Sequence, residues 1–190
     1  MAELLRLNLG SGENPKPGYV SVDKYGTPDV LCDLEQFPWP WEANRVGEVL
    51  LNHVLEHLGG TTEVYFGIIK ELYRVCAPGA TIHITVPHPR HDNFINDPTH
   101  VRVVTPRGLG LLSKTKNSEA VKRGCADSTL GLYLDVDLEV VESHHILDEP
   151  WATQFANKQL SQAEMEQAAQ RYNNVVKEIR MVVKVVKKGV

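Results

Sequence analysis

The chain has 190 residues, 42% of them hydrophobic and 23% charged, with 20 Lys and Arg against 24 Asp and Glu for a net charge of −4. That length suits one domain with a small appendage, and the balance excludes a wholly disordered chain and a chain-wide binder of polyanions. Cys32, Cys76 and Cys125 form no C-x-x-C pair, and no leader pattern or membrane-length apolar run is visible, so the expectation is a soluble, reduced, cytoplasmic protein.

Leu4 to Leu9 is a short apolar run that ends in Gly10-Ser11-Gly12. Tyr19 to Val22 ends at Asp23, Asp29 to Cys32 at Asp33, and Val46 to Leu51 near Asn52. Short runs of Val, Ile and Leu closed by such residues predict strands buried on both faces. The link Gly10 to Gly18 is short for a crossover and holds Pro15 and Pro17, so at most a helical turn or two is expected there. Val64, Ile68, Leu72 and Val75 recur at helical spacing. They predict a helix capped by Thr61 or Thr62 and stopped by Pro78-Gly79. Ala80 to Val86, closed by Pro87, is the fifth strand, and strand, helix, strand implies a right-handed parallel crossover.

Pro87 to Arg107 is polar and rich in His and Pro, which reads as a functional loop, with Thr105-Pro106 opening a short helix. Lys114 to Ser128 is polar and expected to be exposed. Leu138 to Ile146 predicts a strand. Ser161 and Glu164 have capping-box spacing and open a helix to about Asn174. Val175 to Val186 predicts a final strand, with Ile179, Met181, Val183 and Val185 on one face and Arg180 and Lys184 on the other. There is no internal repeat.

The chemistry-bearing residues gather at strand ends, where open parallel sheets bind ligands. Glycines at Gly10 and Gly12 let the backbone approach a ligand closely. A carboxylate at Asp23 can accept both hydroxyls of a ribose, and Asp33 can bond an adenine amino group. Each feature alone also reads as a turn or cap; their joint spacing favours a nucleoside. Asp23 follows Gly10 by thirteen positions, whereas a nicotinamide fingerprint wants a third glycine and an acid about twenty residues on.

The segments LNLGSG, VSVDKY, DVLCDLEQFPWPW, VLLNHVLEHL and ELYRVCAPGATIHITVP, in that order over Leu4 to Pro87, resemble the class I S-adenosylmethionine-dependent methyltransferases, specifically the small type 11 domains. The resemblance implies an α/β fold, a Rossmann-like three-layer sandwich with a mostly parallel seven-stranded sheet and an antiparallel last strand. It implies one domain over 1–190, with substrate or lid insertions at about 87–128 and 151–174. It also implies S-adenosylmethionine as cofactor. Gly10, Ser11 and Gly12 would line its methionine part, Asp23 its ribose, Asp33 and Leu34 its adenine, and Asn52 and His53 its sulfonium side, with Asn8 and Lys24 also among the cofactor-binding candidates. The chain departs from the family where an acid is usual at Asn8 and a glycine at Asn14.

His88, His91, Asp92, Asp97 and His100, with Arg90, Arg102 and Arg107, follow the fifth strand and are expected over the methyl-donor site. His91, Asp97 and His100 are the catalytic candidates, Asp97 fixing the His100 tautomer for proton acceptance. His57, His88 and Arg102 are the substrate candidates. No metal is assigned, although His88, His91 and Asp92 could bind one, and a solvated structural loop is the plain alternative. Glu56 and His57 read as loop-orienting residues. Phe37, Trp39 and Trp41 read as loop packing rather than an adenine wall. His144-His145 reads as surface or core filling. Lys177, Arg180, Lys184, Lys187 and Lys188 read as a charged face and protected strand edge. The expected activity is methyl transfer to an oxygen or nitrogen of a small or polar acceptor, sugar and lipid types included. Nucleic acid is not the expected partner, and a homodimer stays open. The alternatives are a cofactor-binding module without turnover and a metal-dependent enzyme using the His88 to His100 loop.

Overall fold

The computed structural model describes residues 3–187. Seven strands form one sheet: β1 (Leu5–Leu9), β2 (Val20–Asp23), β3 (Val30–Leu31), β4 (Val46–Asn52), β5 (Cys76–Pro87), β6 (Leu138–Leu147) and β7 (Val176–Val185). Their order is β3-β2-β1-β4-β5-β7-β6. β1 to β5 pair in parallel, and β7 inserts antiparallel between β5 and β6. The expected sheet, antiparallel last strand included, is therefore present. The order reverses between β1 and β4, and ligand crevices in open α/β sheets form at such a switch point.

The helix α1 (Thr62–Val75) is capped by Thr61, whose hydroxyl accepts from the Val64 amide. Pro78-Gly79 does not stop it. Val75 and Cys76 are fully buried, Cys76 pairs with Val46 at the start of β4, and the chain passes directly from helix to strand. Burial and ladder pairing end the helix before the local stop signal is reached, and Pro78 and Gly79 lie within β5.

Beyond β5 come α2 (Asp92–Ile95), α3 (Pro106–Gly110), α4 (Lys114–Lys122) and α5 (Leu130–Leu134). The polar stretch after Lys114 is thus helical, its Ser113 cap and Asn117 both buried. Asn117 donates to the Leu111 carbonyl and accepts from the Leu132 amide, which ties α4 to α5. Between β6 and β7 lie α6 (Trp151–Ala156) and α7 (Gln162–Arg171), the latter opened by the Ser161–Glu164 capping box and ending three residues before the expected Asn174. The links β1–β2, β2–β3 and β3–β4 contain no helix.

One sheet face is apolar. Leu7, Leu9, Val49, Leu51, Ile82, Ile84 and Met181 join Ile68, Ile69 and Leu72 of α1, and Leu109, Leu112 and Leu134 beyond β5, in one buried cluster. Each such side chain contributes roughly 1.5–3 kcal/mol through burial. A second, smaller cluster forms around Met165, Ala168 and Val175, with Leu147 and Trp151 against it. The alternate residues of the strands carry a polar network instead. Arg6 Nε donates to Glu48 at 2.8 Å, the Tyr19 hydroxyl donates to the same carboxylate at 2.6 Å, and His83 Nε2 lies 3.2 Å from it. Arg180 pairs with Glu178, Lys184 bonds Thr81, and Lys187 bonds the Cys76 carbonyl. The basic stretch at the C-terminal end is therefore largely internally paired; Lys188 lies outside the described residues.

Candidate active site

A half-open cleft of about 210 Å³ sits at the carboxyl ends of the strands, beside the switch point. Its wall runs from Gly10 after β1, through Asp23 and Lys24 after β2 and Asp33 and Leu34 after β3, to His53 and His57 after β4. These are residues from four loops that the parallel sheet brings to one edge.

Gly10 is required here for two reasons. Its φ is +65°, and a Cβ would stand 2.5 Å from a Val54 methyl group. The bend carries Ser11, whose amide donates to the Val22 carbonyl, and Gly12, whose amide donates to Asp23 Oδ2 at 2.8 Å. Asp23 Oδ1 accepts from the Tyr25 amide at 3.1 Å. The carboxylate is thus aimed by two backbone donors, and each oxygen keeps a lone pair for a further donor. Asn8 is buried beneath the bend and donates to the Asn14 carbonyl. Asp33 Oδ1 accepts from the Glu35 amide, which fixes the loop beside Leu34. Of the ten cofactor candidates, six line the cleft; Asn8, Ser11 and Gly12 form or support the bend, and Asn52 is exposed at the β4 terminus without lining it.

At the other end, His53 holds a φ of +54°. Its Nδ1 lies 3.4 Å from Glu56 Oε1, too poorly aligned for a hydrogen bond, yet the carboxylate raises the imidazole above its ordinary range against the opposing effect of burial. Leu55–His57 form a single 3-10 turn that buries Glu56 and presents His57 to the cleft. His57 Nδ1 is 2.9 Å from Thr99 Oγ1, and the two rings of His57 and His100 lie 4.5 Å apart. His100 Nδ1 is 2.9 Å from the Phe94 carbonyl, so that carbonyl sets its tautomer. Asp97 Oδ2 stands 3.8 Å from His100 Nε2, beyond hydrogen-bond reach, and Asp97 Oδ1 instead accepts from the Thr99 amide and hydroxyl, which lower its pKa.

The remaining candidates lie elsewhere. His91 caps α2, accepting from the Asn93 amide at Nδ1 and donating to Asp148 at Nε2, so both ring nitrogens are engaged away from the cleft. His88 stacks edge-on against His145 and accepts from the Arg90 amide. Arg102 donates to the Gly59 carbonyl and lies over the Tyr65 ring, with its Nε buried and unpaired. Trp39 is buried, held by Glu71 and the Leu34 carbonyl, as loop packing requires. The histidine-rich loop therefore divides: His100 joins the cleft through His57, while His88 and His91 brace the β6–β7 end of the sheet. Sequence reading missed the cleft residues Cys32, Val54 and Leu58. Their signal was membership of the segments DVLCDLEQFPWPW and VLLNHVLEHL beside Asp33, His53 and His57, since apolar lining has no motif of its own.

No protein-family model matches the chain, and no curated protein matches it in sequence. Solved structures do. A SAM-dependent methyltransferase from Archaeoglobus fulgidus is similar over 95% of this chain and 86% of that chain, at 20% identity and a TM-score of 0.55. The chain has the class I methyltransferase fold. Two further structures share it: a Burkholderia thailandensis 1,6-didemethyltoxoflavin-N1-methyltransferase with bound S-adenosylhomocysteine (12% identity, 96% and 71% covered, TM-score 0.53) and the YcgJ protein from Bacillus subtilis (13%, 99% and 94%, 0.52). At such identities the likeness is one of fold. In this methyltransferase fold the cleft occupies the carboxyl edge of the sheet and spans the switch point, from the loop after β3 to the loop after β4.

Proposed function

We propose that the chain is an S-adenosylmethionine-dependent methyltransferase acting on an oxygen or nitrogen of a small or polar acceptor. One observation supports this above the others. Gly10, Asp23, Asp33, Leu34 and His53 line a single cleft, with the Asp23 carboxylate aimed by the Gly12 and Tyr25 amides. A ribose diol finds its acceptor at Asp23, an adenine its edge at Asp33 and its apolar face at Leu34, and an amino-acid tail its room over the glycine bend. The cleft is smaller than the ~300 Å³ at which enclosed ligand sites begin. It therefore suits the nucleoside, with the methionine portion lying over the bend.

The reaction needs little covalent chemistry from the protein. When bound, S-adenosylmethionine would supply an electrophilic methyl group to the acceptor atom and leave as its demethylated product, the acceptor proton passing to solvent, and the chain would supply alignment and exclusion of water. His53 and His57 line the cleft after β4, where they would face the sulfonium side and orient the acceptor. No helix among the described residues is long and apolar enough to cross a membrane. Calorimetry tests the reading: S-adenosylmethionine and its demethylated product bind the wild-type chain at micromolar level, and Asp23→Ala weakens both by tenfold or more, about 1.4 kcal/mol or greater. Absence of binding to the wild type removes the reading. Binding without methyl transfer to any acceptor in a lysate leaves a cofactor-holding module.

A further inference from the structure

Glu56 is 1% exposed, and neither carboxylate oxygen has a hydrogen-bond partner among the described residues. A buried ionised carboxylate in that condition is costly unless a cation completes it. Three imidazoles stand beside it: His53, whose Nδ1 lies 3.4 Å from Oε1 while its Nε2 faces Glu178 at 3.4 Å, and His57 and His100. One ligand atom each of Glu56, His57 and His100 lies within 4.8 Å of the other two.

The hydrogen bonds around the imidazoles determine which nitrogens are free. Thr99 Oγ1 donates to Asp97 Oδ1 at 2.6 Å, so it can only accept from His57 Nδ1–H at 2.9 Å. His100 Nδ1–H donates to the Phe94 carbonyl at 2.9 Å. Both rings are thereby fixed with the proton on Nδ1 and the lone pair on Nε2. Imidazole ligands of metals are commonly oriented in this way, through the second nitrogen by a carbonyl or a carboxylate-linked group. We propose that Glu56, His57 and His100 form a binding site for a divalent transition-metal cation at the edge of the cleft.

Two neutral imidazoles and one carboxylate suit Zn²⁺, Mn²⁺ or Fe²⁺ better than Ca²⁺ or Mg²⁺, which take oxygen ligands. Ligand atoms at bond lengths of about 2.1 Å sit roughly 3.4 Å apart, so the three side chains close slightly around the ion. Three protein ligands leave coordination positions open, and one of the three, His57, lines the cleft. An acceptor hydroxyl or carboxylate oxygen is the group that would fill them. The proposal stands without the methyltransferase reading, because cation binding needs no cofactor.

The test uses the full chain, stripped by chelator and titrated with Co²⁺ alone, read by visible d–d absorption, with Zn²⁺ as competitor. One equivalent binds, and Zn²⁺ displaces it. Glu56→Gln and His100→Ala each weaken Co²⁺ by about tenfold or more. Asp23→Ala and the exposed-imidazole control His144→Ala leave it unchanged, which separates this site from the nucleoside site. If Glu56→Gln does not fold, as judged by circular dichroism, His100→Asn carries the comparison. Lack of saturable binding by the folded wild type overturns the proposal, as does binding indifferent to the His100 substitution.

Discussion

His88 is half-buried against His145, with Arg90 and His91 nearby, and burial first, then these neighbours, push its imidazole down to about 4 from 6.5. In the unfolded chain it takes up a proton near pH 6.5; in the folded chain only near 4. Between those values the unfolded state binds more protons, so stability falls as the pH drops through that window. After allowance for its partial solvent access the loss is about 1–2 kcal/mol. Urea midpoints measured from pH 7 to pH 4 should show that dependence in the wild type and a flatter profile in His88→Asn. Gly10 and Asp23 were legible in the sequence, because a bend and a strand-terminal acid are local requirements. His91 and Asp97 were not. His91 finds its partner 57 positions away at Asp148, and Asp97 is engaged by Thr99, leaving His100 to a carbonyl that no motif announces.

Among the elements, α1 was legible because its own apolar stripe meets the core and Thr61 caps it. Its end was not, since ladder pairing at Cys76 overrides the Pro-Gly signal. The helices α4 and α5 escaped notice for a different reason. Their sequence is polar or short, and they are held by one another rather than by periodicity. Gly131 of α5 packs on the link between α3 and α4: its amide donates to the Leu111 carbonyl, and a Cβ there would stand 2.6 Å from the Leu112 carbonyl oxygen and 3.0 Å from Asn117 Oδ1 of α4. Because the nearer neighbour is backbone, it cannot rotate aside. Gly131→Ala should therefore cost about 1–3 kcal/mol, seen as a lowered melting temperature, despite its favourable helix propensity.

On the scale of the whole molecule, the strand ends and their spacing were enough to place a parallel sheet, while the antiparallel last strand followed only from the family resemblance and its insertion between β5 and β6 is seen in the structure alone. The helix-free links among β1 to β4 were foreshadowed by the short, proline-bearing Gly10 to Gly18 segment alone. The two remaining helices, α6 and α7, interrupt what is otherwise a plain hairpin. Leu147 pairs with Val176, so the excursion leaves and re-enters the sheet at neighbouring positions, and its apolar side chains form a cluster apart from the main core. Such a segment is modular. Replacing residues 150–173 with a tight turn, while keeping Asp148 for His91, should preserve a cooperative melting transition followed by near-UV circular dichroism. The β6–β7 hairpin is then a socket, a place where descendants of this chain can exchange one attachment for another without rebuilding the sheet that carries it.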